Sequence, residues 1–132
     1  MVIGMHPHVV QPIKKERVKM PDGSIKEAIV VYSLGNFISN QTQPNTDGGI
    51  LYQVDLLKKK GSPEVHIGKQ GIIPVWRYIH KPAGGKATYH ALPVHLLEQN
   101  PEYFKGMSES GRAAMLKFAS GVRKRLGWTE IK

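Results

Sequence analysis

MVIGMHPHVVQPIKKERVKMPDGSIKEAIVVYSLGNFI, residues 1–38, is the stretch whose reading decides the fold. Pro21-Asp22-Gly23-Ser24 is a turn: proline presets φ and glycine accepts positive φ. Before it, Gln11 to Lys19 has the polar and apolar mix of an edge or hairpin strand, restricted by Pro12, which cannot donate to a sheet ladder. After it, Ile25 to Tyr32 is β-branched and apolar and reads as a buried strand. The pair predicts a β-hairpin. Met1-Val2-Ile3 is an apolar run cut off by Gly4 and reads as the tail of a buried strand. So short a strand is unusual, and it suggests that part of a longer protein precedes it.

Working outward, Ser33 to Gly49 is rich in Gly, Asn and Asp and predicts a long loop, a length often tied to function. Ile50 to Leu57 reads as a strand, Lys58 to Pro63 as a turn and Glu64 to Ile67 as a further strand, with Val54, Leu56, Val65 and Ile67 alternating toward one face. Gly71 to Tyr78 is another strand, interrupted by Pro74, and Thr88 to Val94 a short extended piece. Glu98 to Lys105 suggests a short helix. Met115, Leu116, Ala119, Val122 and Leu126 then follow helical spacing, with Ser108 as N-cap and Gly127 after the basic last turn Arg123-Lys124-Arg125. Strands in 1–94 followed by helix in about 108–126 predict an α+β fold, with 95–132 a C-terminal helical segment of the same domain.

The 132 residues allow one domain. With 40% hydrophobic and 22% charged residues, the composition is that of a globular protein. The absence of cysteine excludes a disulfide scaffold, a thiolate metal site and a cysteine nucleophile. No apolar run approaches the ~20 residues of a membrane-spanning helix. Nineteen Lys and Arg against ten Asp and Glu give a net charge of +9, which favours anionic partners. The basic residues fall in three groups: Lys14-Lys15 with Arg17 and Lys19, Lys58-Lys59-Lys60, and Arg123-Lys124-Arg125. These are turns, a hairpin and a helix C-terminus, where basic residues are ordinary. Aromatics are not interleaved with them, so specific nucleic-acid binding is not expected.

His6-Pro7-His8 leaves the first strand through Gly4. Two histidines two apart at such an exit can bring both imidazoles beside one metal ion if the backbone turns there; the plain alternative is a pair of solvent-exposed loop residues. Two ligands alone do not complete a site, since a catalytic zinc takes three protein ligands and a water. Asn36, in Ser33-Leu34-Gly35-Asn36-Phe37-Ile38, could orient a phosphate or a metal-bound water. Alternatively it stabilises a turn while Phe37 and Ile38 plug the core. His66, His80, His90 and His95 are scattered, Asp47 reads as a turn residue and Asp55 as solvent-facing. There is no P-loop, nucleophile elbow or dinucleotide glycine pattern.

Gly4-Met5-His6-Pro7-His8-Val9-Val10-Gln11-Pro12, a hairpin, then Val31-Tyr32-Ser33-Leu34-Gly35-Asn36-Phe37-Ile38 with Gln41 just after, together resemble the C-terminal half of the CapA family of bacterial capsule and poly-γ-glutamate synthesis proteins. The resemblance covers roughly residues 1–57. It implies a metallophosphoesterase-like fold, a β-sandwich flanked by helices, of which residues 1–94 would be the C-terminal part. It implies His6 and His8 as metal ligands, with His8 and Asn36 at the reaction centre, and divalent ions such as Mn, Fe or Zn as cofactors. The family's early aspartate, histidine and asparagine ligands have no counterpart here, so the dinuclear site would be incomplete and hydrolysis would belong to the full-length protein. The implied partners are a phosphoester substrate or an anionic polymer, and a membrane-associated capsule synthesis complex at the extracytoplasmic face of the bacterial envelope. A second reading is a non-catalytic module that holds an anionic polymer through its lysines. A partial domain would also expose apolar faces and self-associate.

Overall fold

The computed structural model describes residues 1–127. Its elements are β1 (Val2–Ile3), β2 (Ile13–Lys19), β3 (Ile25–Val31), β4 (Gly48–Lys58), β5 (Val65–His80), β6 (Thr88–Pro93), α1 (Val94–Gln99), a 3₁₀ turn (Pro101–Phe104) and α2 (Glu109–Leu126). Two three-stranded sheets followed by helices make the fold α+β, as the sequence predicts. The last five residues of the expected helical segment 95–132 lie outside the described residues.

The predicted hairpin forms between β2 and β3, from Ile13↔Val31 to Lys19↔Ile25. At its turn the Asp22 carboxylate accepts from the Ser24 hydroxyl at 2.6 Å and the Ser24 N–H at 2.9 Å. These two bonds hold the Asp22 carboxyl below its ordinary range. β1 adds to β3 in parallel, giving the order β1-β3-β2. Gly4 then lets the chain leave the sheet: a Cβ there would lie 2.4 Å from the Tyr32 carbonyl oxygen. The expectation of buried strands needs correcting. Val2, Ile3 and Ile25 are exposed, and only Ile29 and Val31 of β3 are buried. The core gathers at the end of the hairpin away from its turn, where these two pack with Val10, Ile13, Ile50 and Ile72.

The second sheet has the order β4-β5-β6. The two strands expected at 64–67 and 71–78 are one strand of 16 residues, β5, with Pro74 inside it. The register explains why proline is tolerated in a central strand. Pro74 lies opposite Ile50, whose N–H turns away from β5 to the Leu34 carbonyl at 2.8 Å. Pro74 therefore lacks its donor on the β6 side, and there pairing ends one residue later, at Val75↔Pro93. The face expected to hold Val54, Leu56, Val65 and Ile67 also breaks. A bulge shifts the register between Val54 and Leu56, and Leu56 and Val65 are exposed. With Ile25, Ile29 and Met1 they line an open cleft of about 690 Å³ between the two sheets.

α2 buries Met115, Phe118, Ala119 and Val122. This i, i+3, i+4, i+7 stripe takes Phe118 in place of the expected Leu116, which is exposed. Ser108 caps the helix, its hydroxyl accepting from the Gly111 N–H at 3.1 Å, and the helix ends at Gly127. The short helix expected at 98–105 instead splits. α1 starts earlier, at Val94, and stops because Asn100, preceding Pro101, is held extended at φ −151°. Arg123 joins α2 to α1 through both oxygens of Glu98, at 2.8 and 2.9 Å. Arg125 donates to the Val10 carbonyl at 3.0 Å, tying the end of α2 to the segment that follows His8.

Two glycines give a test of this packing. A Cβ on Gly49 would lie 2.6 Å from the Leu34 carbonyl oxygen and 2.8 Å from that of Asn36, whereas one on Gly121 in α2 would meet nothing within 4 Å. In urea denaturation, Gly49→Ala should lose more than about 2 kcal/mol, as overpacking against backbone cannot relax cheaply. Gly121→Ala should gain about 0.5–1 kcal/mol from helix propensity.

Candidate functional site

The site is built where the long loop begins. Ser33 to Asn36 hydrogen-bonds on both sides, with a left-handed glycine, Gly35 at φ 75°, inside it. The Ser33 carbonyl accepts from the Gln11 N–H at 3.0 Å and the Leu34 carbonyl from the Ile50 N–H at 2.8 Å, while the Asn36 N–H donates to the Gly48 carbonyl at 3.0 Å. Isolated bridges Val10↔Leu34 and Gly35↔Gly49 complete the stitching. The segment thus carries Asn36 between the chain leaving His8 and the start of β4, and leaves its side chain buried, 6% exposed.

The Asn36 amide is fully used. Its Nδ2 donates to the Thr46 carbonyl at 2.8 Å and to Gln41 Oε1 at 3.1 Å. Its Oδ1 lies 2.8 Å from His8 Nδ1. The Thr46 carbonyl only accepts, so the amide nitrogen must face it and Oδ1 must face the imidazole. An oxygen at that position requires a proton on His8 Nδ1. A neutral His8 therefore presents Nε2 as a lone pair, the arrangement in which a hydrogen bond at one ring nitrogen fixes the other for coordination.

His6 stands beside it, with ring centroids 6.4 Å apart and planes tilted by 45°. Two imidazoles sharing one ion at ~2.1 Å in a tetrahedral arrangement would put their centroids roughly 5 Å apart. The pair is therefore about 1 Å wider than a shared ion needs. Both histidines are exposed, and both carry positive φ, 107° at His6 and 60° at His8, on either side of Pro7. Non-glycine residues seldom adopt such angles, and strain of this kind is held only where surrounding structure imposes it. The donor set suits a divalent ion: two imidazoles, one already oriented by the Asn36 amide oxygen. No group of three or more His, Cys, Asp or Glu side chains that could hold a metal ion occurs among the described residues.

The structure thus brings His8 and Asn36 into direct contact and places the His6 ring 6.4 Å from that of His8. Asn36 combines a buried structural role with a contact to the candidate ligand. Phe37 and Ile38 do not plug the core: they are 53% and 52% exposed. The amide beside them is what turns inward. Asp47 is more than a turn residue, since its carboxylate accepts from Trp76 Nε1 at 3.1 Å and its carbonyl from the Arg77 N–H at 2.8 Å. His66 is exposed, as read, beside Glu64 at 3.6 Å. Thr46 and Arg77 were missed. Thr46 acts through its backbone carbonyl, which carries no residue-type signal, and Arg77 reads as one polar position in an apolar strand.

Comparison with known proteins gives one positive result. Residues 1–41 match the family model of the bacterial capsule synthesis protein PGA_cap. The match agrees with the resemblance seen in the motifs, and its span includes His6, His8, Asn36 and Gln41. Comparisons with curated proteins and with solved structures gave no match. No helix among the described residues is long and apolar enough to cross a membrane.

Asn36→Ala should cost about 1–3 kcal/mol of stability in urea denaturation, because it strands the buried Thr46 carbonyl and removes the partner of His8. The same substitution should leave the His8 ring with both tautomers populated, read from its imidazole nitrogen resonances.

Proposed function

We propose that this chain carries the late histidine pair of a metal-dependent phosphoesterase centre in a bacterial capsule synthesis protein, with His6 and His8 as ligands and Asn36 as the residue that sets His8. The observation that carries this reading is the 2.8 Å contact between His8 Nδ1 and Asn36 Oδ1. It joins the two halves of the motif, 28 residues apart, through the atom that frees Nε2 for a metal. The family match over residues 1–41 supports the capsule-synthesis assignment. It supports an association with the cell envelope, and in this reading the protein would act at the extracytoplasmic face of the bacterial envelope.

Divalent ions such as Mn, Fe or Zn would supply Lewis acidity at a phosphoryl oxygen and a water made nucleophilic at neutral pH. The chain's own contribution is narrower. His8 offers one preset nitrogen, His6 offers a second from a strained turn, and buried Asn36 keeps the first from rotating. Two imidazoles leave most of a coordination sphere open, so in this reading the other ligands come from the full-length protein. The metallophosphoesterase-like fold belongs to the same proposal, as does poly-γ-glutamate as the polymer concerned.

The test is metal binding by the full-length protein. His6→Ala and His8→Ala should each lower divalent-ion content sharply, and Asn36→Ala should weaken affinity about 10–100-fold, as loss of an orienting partner does. Metal content unchanged in both histidine variants would sink the reading.

A second reading is favoured by the surface. Lys58, Lys59 and Lys60 are all exposed, as are Lys14, Lys15, Arg17 and Lys19 on β2. These cations would hold an anionic polymer without catalysis. Binding of poly-γ-glutamate should then fall steeply between low and physiological salt, and triple replacement of Lys58–Lys60 by Glu should weaken it at least tenfold. Salt-insensitive binding, measured by fluorescence anisotropy, would count against this role.

A further inference from the structure

We infer that Arg77 is a positioning residue for His8, acting through the loop that orients Asn36; the functional meaning of this rests on the metal-site reading above. Arg77 lies on β5 and is only 8% exposed. A buried guanidinium is expensive unless it is paired and fully hydrogen-bonded. Arg77 has neither compensation in full. Among the described residues no carboxylate pairs with it, and its Nε is buried without a partner. A cation held at that cost is doing something that an apolar residue on the same strand would not do.

Its hydrogen bonds show what that is. Nη1 donates to the Ser39 carbonyl at 2.9 Å and to the Gln41 carbonyl at 3.0 Å. Its backbone N–H donates to the Asp47 carbonyl at 2.8 Å. One residue therefore grips both ends of the loop from Ser39 to Asp47. Both acceptors that fix the Asn36 amide, Gln41 Oε1 and the Thr46 carbonyl, lie within that loop. Within it, Thr46 is tied to the Gln43 carbonyl by its N–H and its hydroxyl, at 3.2 and 2.7 Å. The chain of constraint runs from the guanidinium to the loop carbonyls, from the loop to the Asn36 amide, and from Asn36 Oδ1 to His8 Nδ1. No described residue links Arg77 to His8 directly, so the effect is one of orientation.

The test reads the His8 tautomer in metal-free protein, by imidazole nitrogen NMR at a pH above the imidazole titration range. Wild type should show the Nδ1–H form alone. Arg77→Met removes the side-chain hold on the Ser39 and Gln41 carbonyls, keeps the backbone bond to Asp47 and a stem of similar volume, and should leave His8 with both tautomers while backbone amides of β4 and β5 keep their native shifts. Arg77→Lys keeps a buried cation, so it guards against a variant that fails to fold. Its ammonium falls short of the two carbonyls, and Arg and Lys are not equivalent at such a site, so it should mix the tautomers too. A folded Arg77→Met or Arg77→Lys protein that retains Nδ1–H alone overturns the inference, as does a wild type already mixed. Because no metal enters this measurement, a full-length protein that binds no metal yet shows the expected pattern refutes the metal reading and leaves the positioning role standing.

Discussion

The rest of the structure depends on four residues, Ser33 to Asn36, that hydrogen-bond to two different neighbours at once. On one side they meet Gln11, and on the other Gly48 and Ile50. A segment with both edges used cannot slide, because moving one register would break bonds on both sides at once and would carry the left-handed turn off Gly35. This is why a stretch rich in turn-forming residues is nonetheless a fixed part of the fold. It also explains the glycine at position 49, where backbone from this segment fills the space a side chain would take.

Some of the fold was legible in the sequence because local chemistry decided it. The hairpin needed only Pro21-Asp22-Gly23-Ser24 and its flanks, and α2 needed Ser108, Gly127 and a 3.6-residue stripe. Errors came where tertiary context outweighed local pattern. Pro74 argued against a continuous strand, yet its missing donor faces a side on which β6 has just ended. Leu116 and Phe118 both fit a helical stripe within one position, and the sheet it packs against chose Phe118. The alternation across Val54 and Leu56 failed at a bulge, which adds a residue without any marker of composition. Buried strands were overestimated because apolar β-branched residues read the same whether or not another layer covers them.

The candidate site divides in the same way. His6, His8 and Asn36 could be singled out because imidazoles and a carboxamide beside glycine are chemically suggestive and their spacing resembles a family pattern. Their direct contact could not be read, since it depends on a separation of 28 positions being closed by a hairpin that returns the chain to its start. The supporting groups were less legible still. The Thr46, Ser39 and Gln41 carbonyls act as backbone, and any residue type would offer the same oxygen. The basic residues show the converse: part of the +9 charge is committed to internal structure, Arg77 to a loop, Arg112 to the carbonyls of Pro101 and Phe104, and Arg125 to that of Val10. Net charge alone therefore overstates what is available to a polyanion.

The two histidines are not equivalent, and the difference follows from where the structure invests its constraints. His8 is held at Nδ1 by a buried amide whose own donors are both used. His6 has no hydrogen bond among the described residues and is constrained by backbone alone, at φ 107°. A ring fixed by a side-chain partner keeps both its direction and its tautomer, whereas one fixed only through its Cα keeps neither. Ordering a free imidazole on binding costs side-chain entropy, and a ring already oriented has met that cost during folding. On the proposed metal-site reading, His8 would therefore be the preset ligand of the two and His6 the one that still has to be ordered. The ring separation, about 1 Å wider than a shared ion would need, is in keeping with a second ring that nothing yet holds in place.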